Sequence, residues 1–232
     1  MEAPRLHART GLAALVPCHE EPPALELLRD VAARVGELLL VDDGTPPAHT
    51  AELARRADEV GATLLRLPRR SGKGHALAAG LRYLRSQNPS PDAVVVLDAD
   101  GQHPPDAIAA LASADADLVV GNRLHDAAMP WHRRLPNRVA SGLLAAITRT
   151  RIPDSQCGMR LLRGRALHEI PFPGGRFEAE MRYLKRCLAA GVRVAWVPIP
   201  AVYEGHPSSF RPVRDGARVL AALLDRAPRR TP

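Results

Sequence analysis

VVVLDADGQHPP, residues 94–105, runs four apolar residues straight into Asp98 and Asp100. The apolar run reads as the end of a buried strand. In an extended segment, residues i and i+2 point the same way, so the two carboxylates converge on one small volume. Such convergence is costly unless a cation sits between them. Hard oxygen ligands favour Mg²⁺ or Mn²⁺, and Gln102, two residues further on, offers a third oxygen. The competing reading is a solvated loop with helix-capping aspartates. The place of the pair directly after a buried strand favours the cation. Pro104 and Pro105 suit the start of the following helix.

Outward from this stretch, short apolar runs alternate with helical patterns. Strands are expected at 12–17, 37–42, 62–67, 93–98 and 117–121. Helices are expected at 23–35, 47–60, 71–87 and over PPDAIAALAS, 104–113. Continuous apolar strands between helices imply a largely parallel, Rossmann-like α/β sheet covered on both faces. Ligands of such sheets bind beyond the carboxyl ends of the strands, where the strand order reverses. The polar clusters Cys18-His19-Glu20, Asp42-Asp43-Gly44 and Asp98-Ala99-Asp100 fall at those ends. The second half is less regular: a basic segment leading into a helix over 130–150, a loop and short strand over 154–164, a helix near 178–190, a strand at 192–200 and an amphipathic helix over 211–226. No repeat or clear linker interrupts the chain, so a single domain over 1–232 is expected.

The chain has 232 residues, 46% hydrophobic but only 3% aromatic, so its core must be built mainly of Leu, Val and Ala. The formal net charge of +7 suits anionic partners such as nucleotides or phospholipid headgroups. The basic residues are dispersed and form no recognisable nucleic-acid-binding module, so nucleic acid is not an expected partner. Cys18, Cys157 and Cys187 are an odd number without metal-binding spacing, which fits a reducing cytosol. The N-terminal MEAPRLHART lacks a signal-peptide core, and no run approaches the ~18 apolar residues of a spanning helix. A cytoplasmic protein, peripheral to the inner face of a membrane, is the expectation.

Further candidates surround the same sheet edge. Asp42 and Asp43 can accept hydrogen bonds from a base or ribose, although Asp-Gly is also turn chemistry. Glu20, after Pro17, can hold a ribose diol or be plain surface charge. Ser71-Gly72-Lys73-Gly74 is not a P-loop, since Leu67 stands where the first Gly belongs and Gly74 where Ser or Thr belongs. Its small residues still allow close approach of a ligand at a helix start, and Lys73 is one of only two lysines. Arg123, Arg133, Arg134 and Arg138 can fork onto phosphates or lie on a solvated face.

Taken in order, VPCHEE, VDDGT, SGKGHALAAG, LDADGQHPP, VVGNR, DSQCGMRLL and FEAEM closely resemble family 2 glycosyltransferases. The likeness covers about residues 11–215 and is greatest to the dolichol-phosphate or polyprenyl-phosphate mannosyltransferase-like branch. It implies a GT-A fold, a GDP- or UDP-sugar donor, Mg²⁺ or Mn²⁺, and inverting transfer to a lipid-linked or polyprenyl-phosphate acceptor. Carried over, Pro17, Glu20, Asp42 and Asp43 line the nucleoside pocket, with Lys73, Asp98 and Arg123 also at the donor. Asp98, Asp100 and Gln102 form the metal site. Asp154, Gln156, Cys157, Gly158 and Arg160 match the segment near the acceptor cleft, and Phe177, Glu178 and Glu180 the stretch beside the reacting sugar. The phosphate loop of the mannosyltransferases is replaced by HPSSFRPVRD, 206–215. Arg123, Arg138, Arg160, Ser209 and Arg211, with Ser208, are the candidates for the acceptor phosphate.

A phosphate acceptor is already ionised and needs no strong base. A hydroxyl acceptor does, and Asp100, Asp154 and Glu178 are the candidates. Two other classes compete. A nucleotidyltransferase predicts a Gly-rich loop after the first strand, where this chain has PCHEEPP. A non-catalytic nucleotide-sugar binder has no need of the intact Asp98 and Asp100 pair. The Arg-rich 123–138 segment and the helices near 139–150 and 211–226 are the places where a lipid surface could be met.

Overall fold

The computed structural model describes residues 11–202, except 125, 127, 128 and 177 and the side chain of His132. The elements run β1 (Leu12–Cys18), α1 (Leu25–Ala32), β2 (Glu37–Asp42), α2 (Pro47–Glu59), β3 (Thr63–Arg66), α3 (Lys73–Arg85), β4 (Ala93–Val96), α4 (Ala107–Ser113) and β5 (Leu118–Asn122). They continue as α5 (Trp131–Thr148), β6 (Arg160–Arg163), α6 (Gly164–His168), α7 (Glu178–Ala189) and β7 (Val194–Pro198). Every expected element in this range is present, with ends displaced by a few residues. The one-turn helix α6 is an addition. Phe177, Ser208, Ser209, Arg211 and the helix expected over 211–226 lie outside the described residues.

The sheet has seven strands in the order β3-β2-β1-β4-β6-β5-β7. β1 pairs in parallel with β2 and β4, β2 with β3, and β5 with β7. Helices cover both faces, so the central strands need no alternation. Ala13, Ala14, Leu15 and Val16 of β1 are all fully buried, as are Leu39–Val41 of β2. Burying one such Leu or Val contributes about 1.5–3 kcal/mol. α3 lies flush on β1 and β2 because residue 80 is glycine. A Cβ there would overlap Leu15 Cδ1 and lie 2.9 Å from Val41 Cγ2.

Two features of this topology position the site. Strand order reverses at β1, with β2 and β3 on one side and β4 on the other, so the crevice opens beyond the carboxyl ends of β1 and β4. β6 is antiparallel to both neighbours, pairing Val96 and Val120 with Arg160. The start of β6 therefore lies beside the ends of β4 and β5. Its reversed direction, which the sequence pattern does not reveal, carries the preceding loop 154–159 to the same sheet edge as Asp98.

Candidate active site

β4 stops at Val96, two residues short of the expected end, and the chain then turns. Asp98 and Asp100 converge because of that turn, in which Gly101 takes φ +73°, and not because of strand alternation. Asp100 Oδ1 accepts the Gln102 backbone N–H at 3.0 Å, which closes the turn. Ligand atoms of Asp98, Asp100 and His103 all lie within 4.8 Å of one another. His103 is a residue that the sequence reading passed over. It is buried, its Nδ1 is 3.8 Å from Asp98 Oδ2 and has no hydrogen-bond partner, and its Nε2 lies 3.7 Å from Cys157 Sγ.

The electrostatics are set by one cation. Lys73 Nζ, at the start of α3, makes ion pairs with Asp98 Oδ1 and with Glu180 Oε2, the latter at 3.1 Å. Burial alone would raise the Asp98 pKa. The charge and hydrogen bond of Lys73, with His103 and Arg123 nearby, outweigh it and hold the carboxyl at about 2. Asp100 goes the other way, raised by desolvation and by the charge of Asp98. Desolvation opposes the charge on Lys73, but Asp98 and Glu180 together push its pKa up. Burial pushes His103 down to about 3, so its ring is neutral and its Nδ1 or Nε2 keeps a lone pair.

α7 brings Glu180 to Lys73 through a close helix contact. A Cβ at Gly74 would overlap Ala179 Cβ, and Gly74 N donates to Gly175 O at 3.0 Å. The glycines at 72 and 74 thus allow close packing against 175–179 at the helix start where the sequence also allows a ligand to approach. The loop before β6 has a similar constraint. A Cβ at Gly158 would overlap Asp98 Oδ2, so glycine is what admits the carboxylate.

Several expected ligand residues are placed otherwise. Asp43 is buried and accepts the backbone N–H of Ser71 at 2.7 Å and of Gly72 at 2.8 Å. Asp42 is buried too and accepts Thr45 N–H at 2.7 Å. Both carboxylates fix the loops at the crevice rim. Glu20 is exposed at φ +69°, beside His19 and Arg70, and Pro17 is half-buried in β1. Asp154 is fully buried and accepts from Arg123 N, Asn137 Nδ2 and Gln156 N at 3.1, 2.9 and 2.9 Å. A carboxylate held by three donors anchors the 154–159 loop, whereas the sequence nominated it as a base. Arg160, expected near the acceptor phosphate, is also engaged within the fold. It is 1% exposed and donates to the carbonyls of Cys157, Ser155 and Glu180. Arg123 is buried at the end of β5 and donates to Gln156 O at 3.3 Å. Arg138 is exposed on α5. Glu178 opens α7, where its Oε1 accepts Arg176 N–H at 3.3 Å and its buried Oε2 has no hydrogen-bond partner.

The sequence pattern of glycosyl transferase family 2 matches residues 14–171, more than half of the chain. The chain belongs to glycosyl transferase family 2. That membership sets aside the nucleotidyltransferase reading. Among curated family 2 relatives, the undecaprenyl-phosphate 4-deoxy-4-formamido-L-arabinose transferases of Edwardsiella ictaluri and Enterobacter sp. are each 31% identical, over 164 and 170 residues. Those matches cover 66% and 68% of this chain and 49% and 50% of the relatives. The chain thus spans about half the length of the curated relatives it matches. Among solved structures, glucosyl-3-phosphoglycerate synthase from Mycobacterium tuberculosis, in complex with Mg²⁺ and UDP, superposes with a TM-score of 0.69 at 23% identity. The superposition covers 97% of this chain and 81% of that one. Its likeness establishes the GT-A fold of this chain.

Proposed function

We propose that the chain is the catalytic domain of an inverting, metal-dependent glycosyltransferase. The donor is a nucleotide-diphosphate sugar, UDP- or GDP-linked, and the acceptor is a polyprenyl phosphate or another lipid-linked group. The observation that carries this reading is the Asp98–Asp100 pair at the strand-order reversal of a family 2 chain. The names of the curated relatives support the polyprenyl-phosphate acceptor. A lipid acceptor puts the enzyme at a membrane surface, and three buried free cysteines fit its cytoplasmic face.

The residues present fit a divalent cation. Asp98 and Asp100 offer hard oxygens within 4.8 Å, and the unpartnered Nδ1 of His103 lies behind them. Asp98 and Asp100, with Gln102, would hold the ion. When bound, Mg²⁺ or Mn²⁺ supplies Lewis-acid stabilisation to the diphosphate leaving group. Lys73 keeps Asp98 ionised and adds a fixed positive charge at the phosphate end of the crevice. Asp42 and Asp43 shape the nucleoside rim through the loops they fix, with Pro17 and Glu20 along its edge. Arg123 orients the 154–159 loop toward the reacting centre. An ionised acceptor phosphate attacks the anomeric carbon from the face opposite the leaving group and needs no protein base. Were the acceptor a hydroxyl, Asp100 with its raised pKa, or Glu178, is the group to take the proton.

The test is a thermal-shift screen of UDP- and GDP-sugars with Mn²⁺, followed by product mass from a lipid extract. Stabilisation by one donor only when Mn²⁺ is present is expected. If no donor shifted the melting temperature, the reading would fail.

A further inference from the structure

Asp98 is committed on one side and open on the other. Its Oδ1 pairs with the Lys73 ammonium, which Glu180 also holds. Its Oδ2 lies where glycine at 158 leaves room for it, and faces His103 Nδ1 at 3.8 Å. That separation is too long for a nitrogen–oxygen hydrogen bond, which runs to about 3.2 Å. The His103 ring is 1% exposed, which keeps bulk water away, and Nδ1 has no hydrogen-bond partner. A buried nitrogen left unpartnered beside a carboxylate marks a place for an ion. Two donors about 2.1 Å from one small divalent cation lie about 3 Å apart, so the pair stands only slightly open. Asp100 adds a third ligand atom, within 4.8 Å of the other two.

The other ring nitrogen decides which atom is available. His103 Nε2 lies 3.7 Å from Cys157 Sγ, within the longer reach of a sulfur acceptor. Metal-binding histidines donate their second N–H to a neighbouring acceptor, which leaves a lone pair on the first nitrogen. With Nε2–H on Cys157, that lone pair sits on Nδ1, facing Asp98. The reverse tautomer buries an N–H with no acceptor in hydrogen-bond range, which is costly. The geometry points to His103 Nδ1 as a nitrogen ligand of the cation that Asp98 and Asp100 hold, with Cys157 as the acceptor that orients the ring. An imidazole changes what the site selects. Mg²⁺ favours oxygen ligands and keeps several waters, whereas nitrogen ligands favour first-row transition metals, with affinity rising from Mn²⁺ through Fe²⁺ to Co²⁺. His103 therefore tilts the site away from Mg²⁺, toward Mn²⁺ and more strongly toward Co²⁺. The inference deepens the proposed function and rests on it for the identity of the site, but its test reads the ion and not sugar transfer.

The full chain is loaded with Mn²⁺ and read by electron spin echo envelope modulation. A directly bound imidazole nitrogen gives a strong ¹⁴N coupling. That coupling is expected in the parent, is expected to become a ¹⁵N coupling when the chain is labelled with ¹⁵N-histidine, and is expected to vanish in His103→Gln. His103→Asn takes its place if the Gln variant does not fold. The same substitution is expected to lower the ratio of Mn²⁺ to Mg²⁺ affinity at least about tenfold in a competition titration, and the ratio of Co²⁺ to Mg²⁺ affinity further. Cys157→Ala is expected to keep the coupling and to weaken Mn²⁺ binding about tenfold. The inference is overturned if the Mn²⁺-loaded parent shows no histidine coupling, or if the affinity ratios are unchanged in His103→Gln. A coupling that persists in His103→Gln overturns it too, by assigning the nitrogen to another of the nine histidines. Parent-like Mn²⁺ binding in Cys157→Ala would remove Cys157 from the arrangement. Mn²⁺-dependent donor binding without nitrogen coupling would sink this ligand and leave the enzyme reading standing. Nitrogen coupling without any donor binding would do the reverse.

Discussion

Lys73 Nζ lies 3.1 Å from Glu180 Oε2, joining the first turn of α3 to the first turn of α7 across 107 residues of sequence. The same ammonium pairs with Asp98, so one lysine bridges two carboxylates at the crevice.

Removing that cation leaves two largely buried acids facing each other. Lys73→Met is expected to destabilise the metal-free protein by about 3 kcal/mol, since an unpaired buried charge costs more than the pair contributes. Adding Glu180→Gln should recover part of the loss. Urea unfolding of the single and double variants measures both values, and an additive result would show that Lys73 and Glu180 do not interact.

Gly158→Ala places a methyl group where Asp98 Oδ2 now lies. The carboxylate must turn away, and Mn²⁺ affinity should fall at least about tenfold with only a modest change in stability. Titration followed by the Mn²⁺ electron paramagnetic resonance signal tests this. Unchanged affinity would remove Asp98 from the proposed metal site.

His103 sets a pH dependence. Its folded pKa, pushed by burial to about 3, lies below the unfolded value of about 6.5. Between those values the unfolded chain binds a proton that the folded ring refuses, so stability rises with pH. The contribution is complete above about pH 6.5 and is lost as pH falls toward 3, with a slope of at most about 1.4 kcal/mol per pH unit. His103→Gln should flatten that slope between about pH 4.5 and 6 in the metal-free protein, measured by chemical unfolding. Asp98, held at about 2, adds its own loss only below about pH 4.

Asp154→Asn separates anchor from base. An anchor keeps part of its hydrogen bonding as an amide, so the variant should melt earlier while turnover per folded molecule at low temperature falls less than about tenfold. Loss of a general base costs about 10²–10⁴-fold. A drop of that size, without a change in melting, would return Asp154 to the chemistry.

Much of this protein is legible in the chain alone. Apolar runs bounded by turn residues give the strands, and Asp98 and Asp100 can be recognised as a pair because they follow a run that must be buried. An apolar run is a local property of the sequence, so the existence of a strand and the polar residues beyond it can be read without knowing its neighbours, whereas its last residue cannot: β4 stops at Val96, two residues before the expected end. The order of the seven motifs is likewise a property of the sequence, and it leads to family 2. What tertiary structure alone decided is partnership. β6 runs antiparallel, and that direction sets Gly158 against Asp98 and withdraws Arg160 into the interior. Lys73, Glu180 and His103 come from distant segments, and their meeting depends on how α3, α7 and the turn after β4 pack. Hydrogen bonds and ion pairs act over a few ångströms in space and are indifferent to separation along the chain. A linear pattern can therefore nominate Asp154 or Arg160 for a site, but only packing determines whether their charges are left for a ligand or already committed to the fold.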